Sequence, residues 1–346
     1  MSVLSCPLPI AADDFIVLGH GSGGRLSARL MEDVFLPAFR NPALDRLDDQ
    51  AVFDVPAGRV AMSTDSYVVK PLFFPGGNIG ELAVYGTVND LAVGGATPKY
   101  LSAGFILEEG LPLDVLRQIV AAMAQAARRC GVEIVTGDTK VVEKGSGDQI
   151  FINTAGIGFI PAGVSYSAAN VRPGDKIILN GSLGEHGITI LSQREGLELG
   201  GDLRSDVAPL HELCATVRSA APGLHAMRDL TRGGLSSALN EIARSAHVGV
   251  EINERAIPIC EQVRGACEIF GLDPLYVANE GKMVAFVPEA EAEAALAAMR
   301  AHEFGTQASI IGQVTEKHPR MVTLRTSLGT VRIVDMLAQD QLPRIC

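Results

Sequence analysis

The chain has 346 residues, 47% hydrophobic and 20% charged, with a formal net charge of −11. That balance supports a full core, and the length predicts two domains. The excess of acid argues against a nucleic-acid partner, which needs clustered Lys and Arg, and no apolar run is long enough to span a bilayer. The first residues lack a basic region ahead of an apolar one, so the protein is expected to be cytoplasmic. Six cysteines occur without a C-x-x-C pair. This removes zinc ribbons and thioredoxin-like chemistry and fits a reducing compartment. Seven histidines stand without H-E-x-x-H, and G-x-S-x-G is absent, which argues against metal ligation by histidine and against a serine nucleophile. Cys346 is the last residue; a thiol there is either accessible or docked in a defined place.

Residues 1–14 read as a loose arm. Residues 15–18 predict a short strand feeding Gly19-His20-Gly21-Ser22-Gly23-Gly24, a loop whose backbone N–H groups can approach phosphate. No Gly-Lys-Ser/Thr follows, so it is not a Walker A, and a hinge is an equal reading. Leu47-Asp48-Asp49 places acids before an apolar run, and residues 59–64 predict a buried strand ending at Asp65. Asn78 stands at an N-cap position ahead of Ile79, Leu82, Ala83 and Gly86, predicting a helix toward Asn89-Asp90. Leu113–Cys130 is the clearest helix, with Pro112 at its start, one apolar stripe, and Gly131 as its stop. Residues 133–135 predict a strand leading into Thr136-Gly137-Asp138-Thr139-Lys140, with Asp138 at the strand's end. Alternation puts Asp138 and Lys140 on one side. Residues 151–159 predict a further strand, and Pro161-Ala162-Gly163 an exit from the first domain.

The second domain is expected to begin near residue 170. Strands at 176–179, 248–252, 283–287, 309–314, 321–325 and 331–334 alternate with helices at 259–270 and 289–304. Arg228-Asp229-Leu230-Thr231-Arg232-Gly233-Gly234 is a dense polar cluster leading into another helix. Ala278-Asn279-Glu280-Gly281-Lys282 is a polar loop before a strand. Its Glu280 and Lys282 either pair at the surface, for little gain, or face a site. The eleven residues after Asp335, up to Cys346, reach roughly 36 Å when extended.

Asp49, Asp65, Asp90 and Asp138, beside a glycine loop and Lys140, suit a magnesium–phosphate site. Magnesium takes hard oxygen ligands and shares them with substrate phosphates. Asp65 or Asp90 alone reads better as an ordinary turn or capping acid. The stretches TDSYVVKPLFFPGGNIGELAVYGTVNDLA, GDTKVV, RDLTRGGL, ANEGK and the terminal PRIC resemble the HypE family of hydrogenase maturation proteins over nearly the whole chain. The acid motifs are shared with the superfamily of aminoimidazole ribonucleotide synthetase, selenophosphate synthetase and thiamine-monophosphate kinase, whereas PRIC points to HypE.

The resemblance implies an α/β (α+β) fold of two domains. Residues 1–44 would form an arm and glycine-rich loop, and 45–165 a mixed-sheet domain that binds ATP and magnesium and dimerises into a β-barrel. Residues 170–334 would form an α/β sandwich, and 335–346 a mobile tail ending in the reactive cysteine. ATP would lie in the cleft between domains, held by Gly21, Gly23, Gly24 and Asn89 with Asp65, Asp90, Asp138 and Lys140. Mg2+ would sit on Asp49, Asp65, Asp90 and Asp138. The implied activity is ATP-dependent dehydration of a carbamoyl group on Cys346 to a thiocyanate, with Lys140 steadying the phosphate and Glu280 removing a proton. Implied partners are a HypF-type carbamoyl donor, a HypC–HypD complex as cyanide acceptor and a second copy of the chain, with no nucleic acid or membrane. Two rival readings are a small-molecule kinase of the same superfamily, which predicts unimpaired turnover in Cys346→Ala, and a non-catalytic carrier, which predicts no nucleotide hydrolysis.

Overall fold

The computed structural model describes residues 14–22, 24–47, 50–197, 202–337, 342 and 345–346. The predicted strand at 15–18 is reduced to one bridge between Phe15 and Pro112. The reason is local: the Val17 N–H donates to His20 Nδ1 (3.0 Å) rather than to a ladder, and a 3-10 turn (Leu18–Gly21) forms instead. A bent helical segment follows, made of α1 (Arg25–Leu30), a π turn (Met31–Phe35) and α2 (Leu36–Phe39).

The first sheet starts with β1 (Arg59–Tyr67). A tight hairpin, β2 (Phe73–Phe74) and β3 (Gly77–Asn78), then leads into α3 (Ile79–Val93), β4 (Thr97–Glu108), α4 (Leu113–Cys130), β5 (Glu133–Val142) and β6 (Ile150–Ile160). Asn78 caps α3 as expected, its Oδ1 accepting from the N–H groups of Gly80 and Glu81. α4 runs over the predicted residues and stops at Gly131, in the left-handed region at φ 64°. Leu116, Ile119, Val120 and Met123 of its stripe are at most 1% exposed, each worth roughly 1.5–3 kcal/mol of burial. The strand order is β1-β6-β4-β5, with only β4 and β5 parallel. One face packs on α3 and α4. The other carries Val60, Met62, Thr64, Ser66, Ile106, Asp138, Lys140 and Asn153, all exposed, so the sheet of a single copy is open rather than a barrel.

The second sheet is built from β7 (Lys176–Leu179), α5 (Glu185–Glu195), α6 (His211–Ala220), β8 (Ala226–Asp229), α7 (Gly234–Ala246), β9 (Gly249–Asn253), α8 (Glu261–Phe270), β10 (Met283–Val287), α9 (Glu289–Arg300), β11 (Ser309–Thr315), β12 (Val322–Arg325) and β13 (Val331–Val334). Its order is β13-β12-β9-β11-β7-β10-β8. Val284 and Phe286 of β10 pack toward α7, while Met283, Ala285 and Val287 pack toward α6 and α9. Cover on both faces explains why this strand reads as a continuous apolar run.

The two sheets share their cores. Ala92 and Val93 of α3 join the cluster around α6 and α9. Val277, Ala278, Leu342 and Ile345 join the cluster of the first sheet. The chain's end is therefore docked in this structure, with Leu342 and Ile345 both buried. Among the described residues no helix is long and apolar enough to cross a membrane.

Candidate active site between the two sheets

β1 does not end at Asp65 but continues to Tyr67, so Asp65 projects from mid-strand on the face packed against α3. On α3, Asp90 accepts a hydrogen bond from Ser63 Oγ (2.7 Å), and β8 brings Asp229 into contact with it. Two enclosed carboxyl groups this close cannot both ionise cheaply. Burial raises Asp90, and burial together with the Asp90 charge pushes Asp229 up to about 7. Arg232 reaches over the cleft, its guanidinium 3.8 Å from Asp65.

Glu280 comes from the loop before β10. The N–H groups of Glu280 and Gly281 donate to the two carboxylate oxygens of Asp206 (3.1 and 3.3 Å). A side chain at position 281 would collide with the Asp206 carbonyl, which is why glycine stands there. Glu280 is 4% exposed, and its Oε1 has no hydrogen-bond partner among the described residues. Burial first, then the charges of Asp206, Asp65 and Asp229, hold its carboxyl well above the usual range, with Arg232 opposing. The surface pairing of Glu280 with Lys282 does not occur. Lys282 is partly buried and pairs with Glu185 (3.1 Å) and Asp206 (3.2 Å).

Asn89 and Asn279 are braces. Asn89 donates to the carbonyls of Ala208 and Glu280 and accepts from the Leu210 N–H (2.7 Å). Its polar atoms thus hold the Glu280 loop against α3, where the sequence reading had placed them on nucleotide. Asn279 accepts from the Gly184 N–H (2.7 Å) and donates to the carbonyls of Leu230 and Val277.

The chain's end enters the same cleft. The Val68 N–H donates to the Cys346 carbonyl oxygen (2.9 Å), and His186 Nε2 lies 2.5 Å from the Ile345 carbonyl oxygen. Tyr67, beside Val68, is raised by burial and then by the charges of Asp65, Glu280 and Asp90. The last residue thus docks at the end of the strand that carries Asp65.

The expectation that one copy gathers all the acids is corrected. β5 does not stop at Val135; it runs through Asp138 and Lys140 as an edge strand. Asp138 lies in register with Gly104, Asn153 and Ser66 on the open face. Asp65 lies in register with Thr154 and Ala103 on the other face, at the opposite edge. Asp138 and Lys140 do share a side, as predicted, and pair at 3.0 Å; the Lys140 hydrogen bond lowers the Asp138 carboxyl. Gly21 lies with them, since a Cβ there would stand 2.6 Å from the Val141 backbone nitrogen. Gly24 precedes α1 as its N-cap. Gly23 and Asp49 lie outside the described residues. Sequence reasoning missed Asp206, Asp229 and His186. RDLTRGGL marked the neighbourhood of Asp229, whereas Asp206 belongs to no periodic segment.

Among the described residues no group of three or more His, Cys, Asp or Glu side chains is gathered tightly enough to hold a metal ion by itself. The Asp65–Asp90–Asp229 neighbourhood still fits magnesium, which takes one or two carboxylates and completes its shell with water and phosphate.

Two family models match the chain: AIR synthase related protein, N-terminal domain, over residues 47–160, and its C-terminal domain over 172–323. Carbamoyl dehydratase HypE of Azotobacter vinelandii is 56% identical over 327 residues, 94% of this chain and 96% of its own length. The chain belongs to the HypE family. Carbamoyl dehydratase HypE of Escherichia coli K12 is 49% identical, covering 96% of this chain and 99% of its own. A crystal structure of a HypE in complex with ATP aligns with a TM-score of 0.92 at 50% identity, covering 95% of this chain and 99% of that one. A HypE–HypF complex aligns at 0.79 and 47% identity, covering 89% and 99%.

Proposed function

We propose that this protein is a carbamoyl dehydratase that uses ATP to convert a carbamoyl group on the sulfur of its own Cys346 to a thiocyanate, supplying cyanide for a nickel–iron hydrogenase centre. Glu280 carries the reading: a buried carboxyl with one oxygen unpartnered among the described residues, in the cleft that receives the chain's end. The HypE relatives, one with ATP and one with HypF, support it.

The oxygen of S–C(=O)–NH2 is a poor leaving group. Transfer of the γ-phosphoryl group of ATP to that oxygen, with loss of one N–H proton, gives S–C(OPO3)=NH. Departure of phosphate with the second N–H proton leaves S–C≡N. Glu280 is assigned the proton removal, held in place by Asp206 and Asn89. To accept a proton it must ionise, and neutralising the charge of Asp65 and Asp229 moves it in that direction. Magnesium on Asp65 and Asp90, when bound, neutralises phosphate charge.

Asp138, Lys140 and the glycine loop are assigned to the neighbouring site of a homodimer, formed when the open faces of two first sheets meet. Lys140 then turns from Asp138 to the transferring phosphate. Asp49 is kept as a further ligand. Loading by a HypF-type donor needs Cys346 outside the cleft and dehydration needs it inside, so the tail exchanges between two positions before passing cyanide to a HypC–HypD acceptor. The test is intact mass analysis after loading with carbamoyl phosphate and the donor protein. ATP is expected to convert the Cys346 adduct to one lighter by a water; an unchanged adduct rejects the reading.

A further inference from the structure

One buried side chain grips the chain's end without a part in the chemistry above. His186, in the first turn of α5, is 0% exposed. Its Nε2 faces the Ile345 carbonyl oxygen at 2.5 Å and its Nδ1 faces Ser205 Oγ at 2.7 Å. A carbonyl can only accept, so Nε2 carries the proton, and the bare Nδ1 accepts the Ser205 hydroxyl proton. Ser205 Oγ in turn accepts from the Val207 N–H (3.2 Å), and the Ser205 N–H donates to the Pro75 carbonyl (2.8 Å). The Phe74 ring meets the imidazole edge-on, 5.5 Å between centroids. Gly187 leaves the space that Leu342 fills, since a Cβ there would stand 3.2 Å from Leu342 Cδ1.

The residue after Ser205 is Asp206, whose carboxylate holds the N–H groups of Glu280 and Gly281 and the Lys282 ammonium. Two consecutive residues therefore touch the two things that must meet, one through the histidine that grips the tail and one through the loop that presents Glu280. We infer that His186 is a positioning residue that receives the inserted tail and, through Ser205 and Asp206, couples that insertion to the setting of the Glu280 loop. The inference rests on the proposed role of Cys346 for its catalytic consequence, though not for the grip itself. The chemistry favours histidine over an apolar residue of similar size. With the tail withdrawn, Nε2–H loses this acceptor, and a donor left without its partner is costly, so the neutral imidazole biases the tail inward. Burial lowers the His186 pKa and keeps it neutral.

The experiment uses full-length His186→Leu, His186→Gln and Ser205→Ala. Without nucleotide or partner, alkylation of Cys346 by iodoacetamide is followed by mass, together with hydrogen exchange across residues 279–282. His186→Leu is expected to be alkylated about tenfold faster than the parent, the scale of one lost buried hydrogen bond, with faster exchange at 279–282. His186→Gln keeps a donor and is expected to stay near the parent. Carbamoyl loading in His186→Leu is expected to be at least as fast as in the parent, while ATP-dependent loss of water slows. Equal alkylation of parent and His186→Leu overturns the inference, as does equal slowing of loading and conversion with alkylation unchanged. Should His186→Leu fail to fold, Ser205→Ala decides in its place: it keeps the imidazole, and unchanged alkylation and exchange overturn the coupling. If the parent itself never loses water on addition of ATP, the role given to Cys346 falls, while the alkylation and exchange results still judge the grip.

Discussion

A carboxyl enclosed beside three other acids holds its proton to higher pH, and for Glu280 the consequence is a signed pH dependence. Its folded pKa stands above the ordinary value of 4.5 because of burial and the charges of Asp206, Asp65 and Asp229. A raised acid stabilises the fold fully below the unfolded pKa, and that contribution is lost as pH rises through the folded pKa. Glu280→Gln removes the ionisation at nearly constant shape. In the protein without ATP or metal, the melting temperature of Glu280→Gln relative to the parent is therefore expected to be close to nil near pH 4.5 and to grow in favour of the variant by a few degrees toward pH 8. A difference that stays flat across that range contradicts the assignment. The same variant is expected to load Cys346 normally and to lose dehydration by about a hundredfold or more. Glu280 and Asp65 were legible because each adjoins a clear strand pattern. Asp206 was not, since nothing in a single sequence signals that an irregular loop will brace another loop 74 residues on.

Among the elements, α3 and β5 show what a sequence pattern can and cannot carry. α3 is buried on nearly every side, between the first sheet, α4 and α6, so the one-face spacing read at Ile79, Leu82, Ala83 and Gly86 is only part of its apolar surface, and Asn78 marks where it starts. Loss of that cap is expected to cost about 1 kcal/mol. Asn78→Ala should lower the denaturation midpoint accordingly while leaving Cys346 dehydration at the parent rate, because the cap lies at the far end of the helix from Asp90. A larger loss of activity than of stability would mean that the cap, and not packing, aligns Asp90. α4 was read correctly because it has one covered face and one wet face. β5 was cut short in the sequence reading because Gly137-Asp138 looks like a strand terminus. An edge strand accommodates that pair: it needs apolar residues only on its covered face, and Asp138 and Lys140 point from the open one.

For the whole molecule, the separation of Asp65 from Asp138 and Lys140 across one sheet decides how many chains make a site. Within one copy they occupy opposite edges and opposite faces, so a nucleotide held by Asp65 and Asp90 meets Lys140 only if a second copy supplies it. The open face, with Val60, Met62 and Ile106 exposed, is the surface through which the copies are proposed to join, and a two-fold arrangement would give two such composite sites. This makes a prediction that no single-chain site can satisfy. Asp65→Asn and Lys140→Ala, each expected to be inactive alone, are mixed after reversible dissociation. In a mixed dimer one site then carries both lesions and the other carries neither, so about a quarter of parental activity should return at random reassortment. If each chain built its own site, every chain in the mixture would still hold one lesion, and mixing would restore nothing.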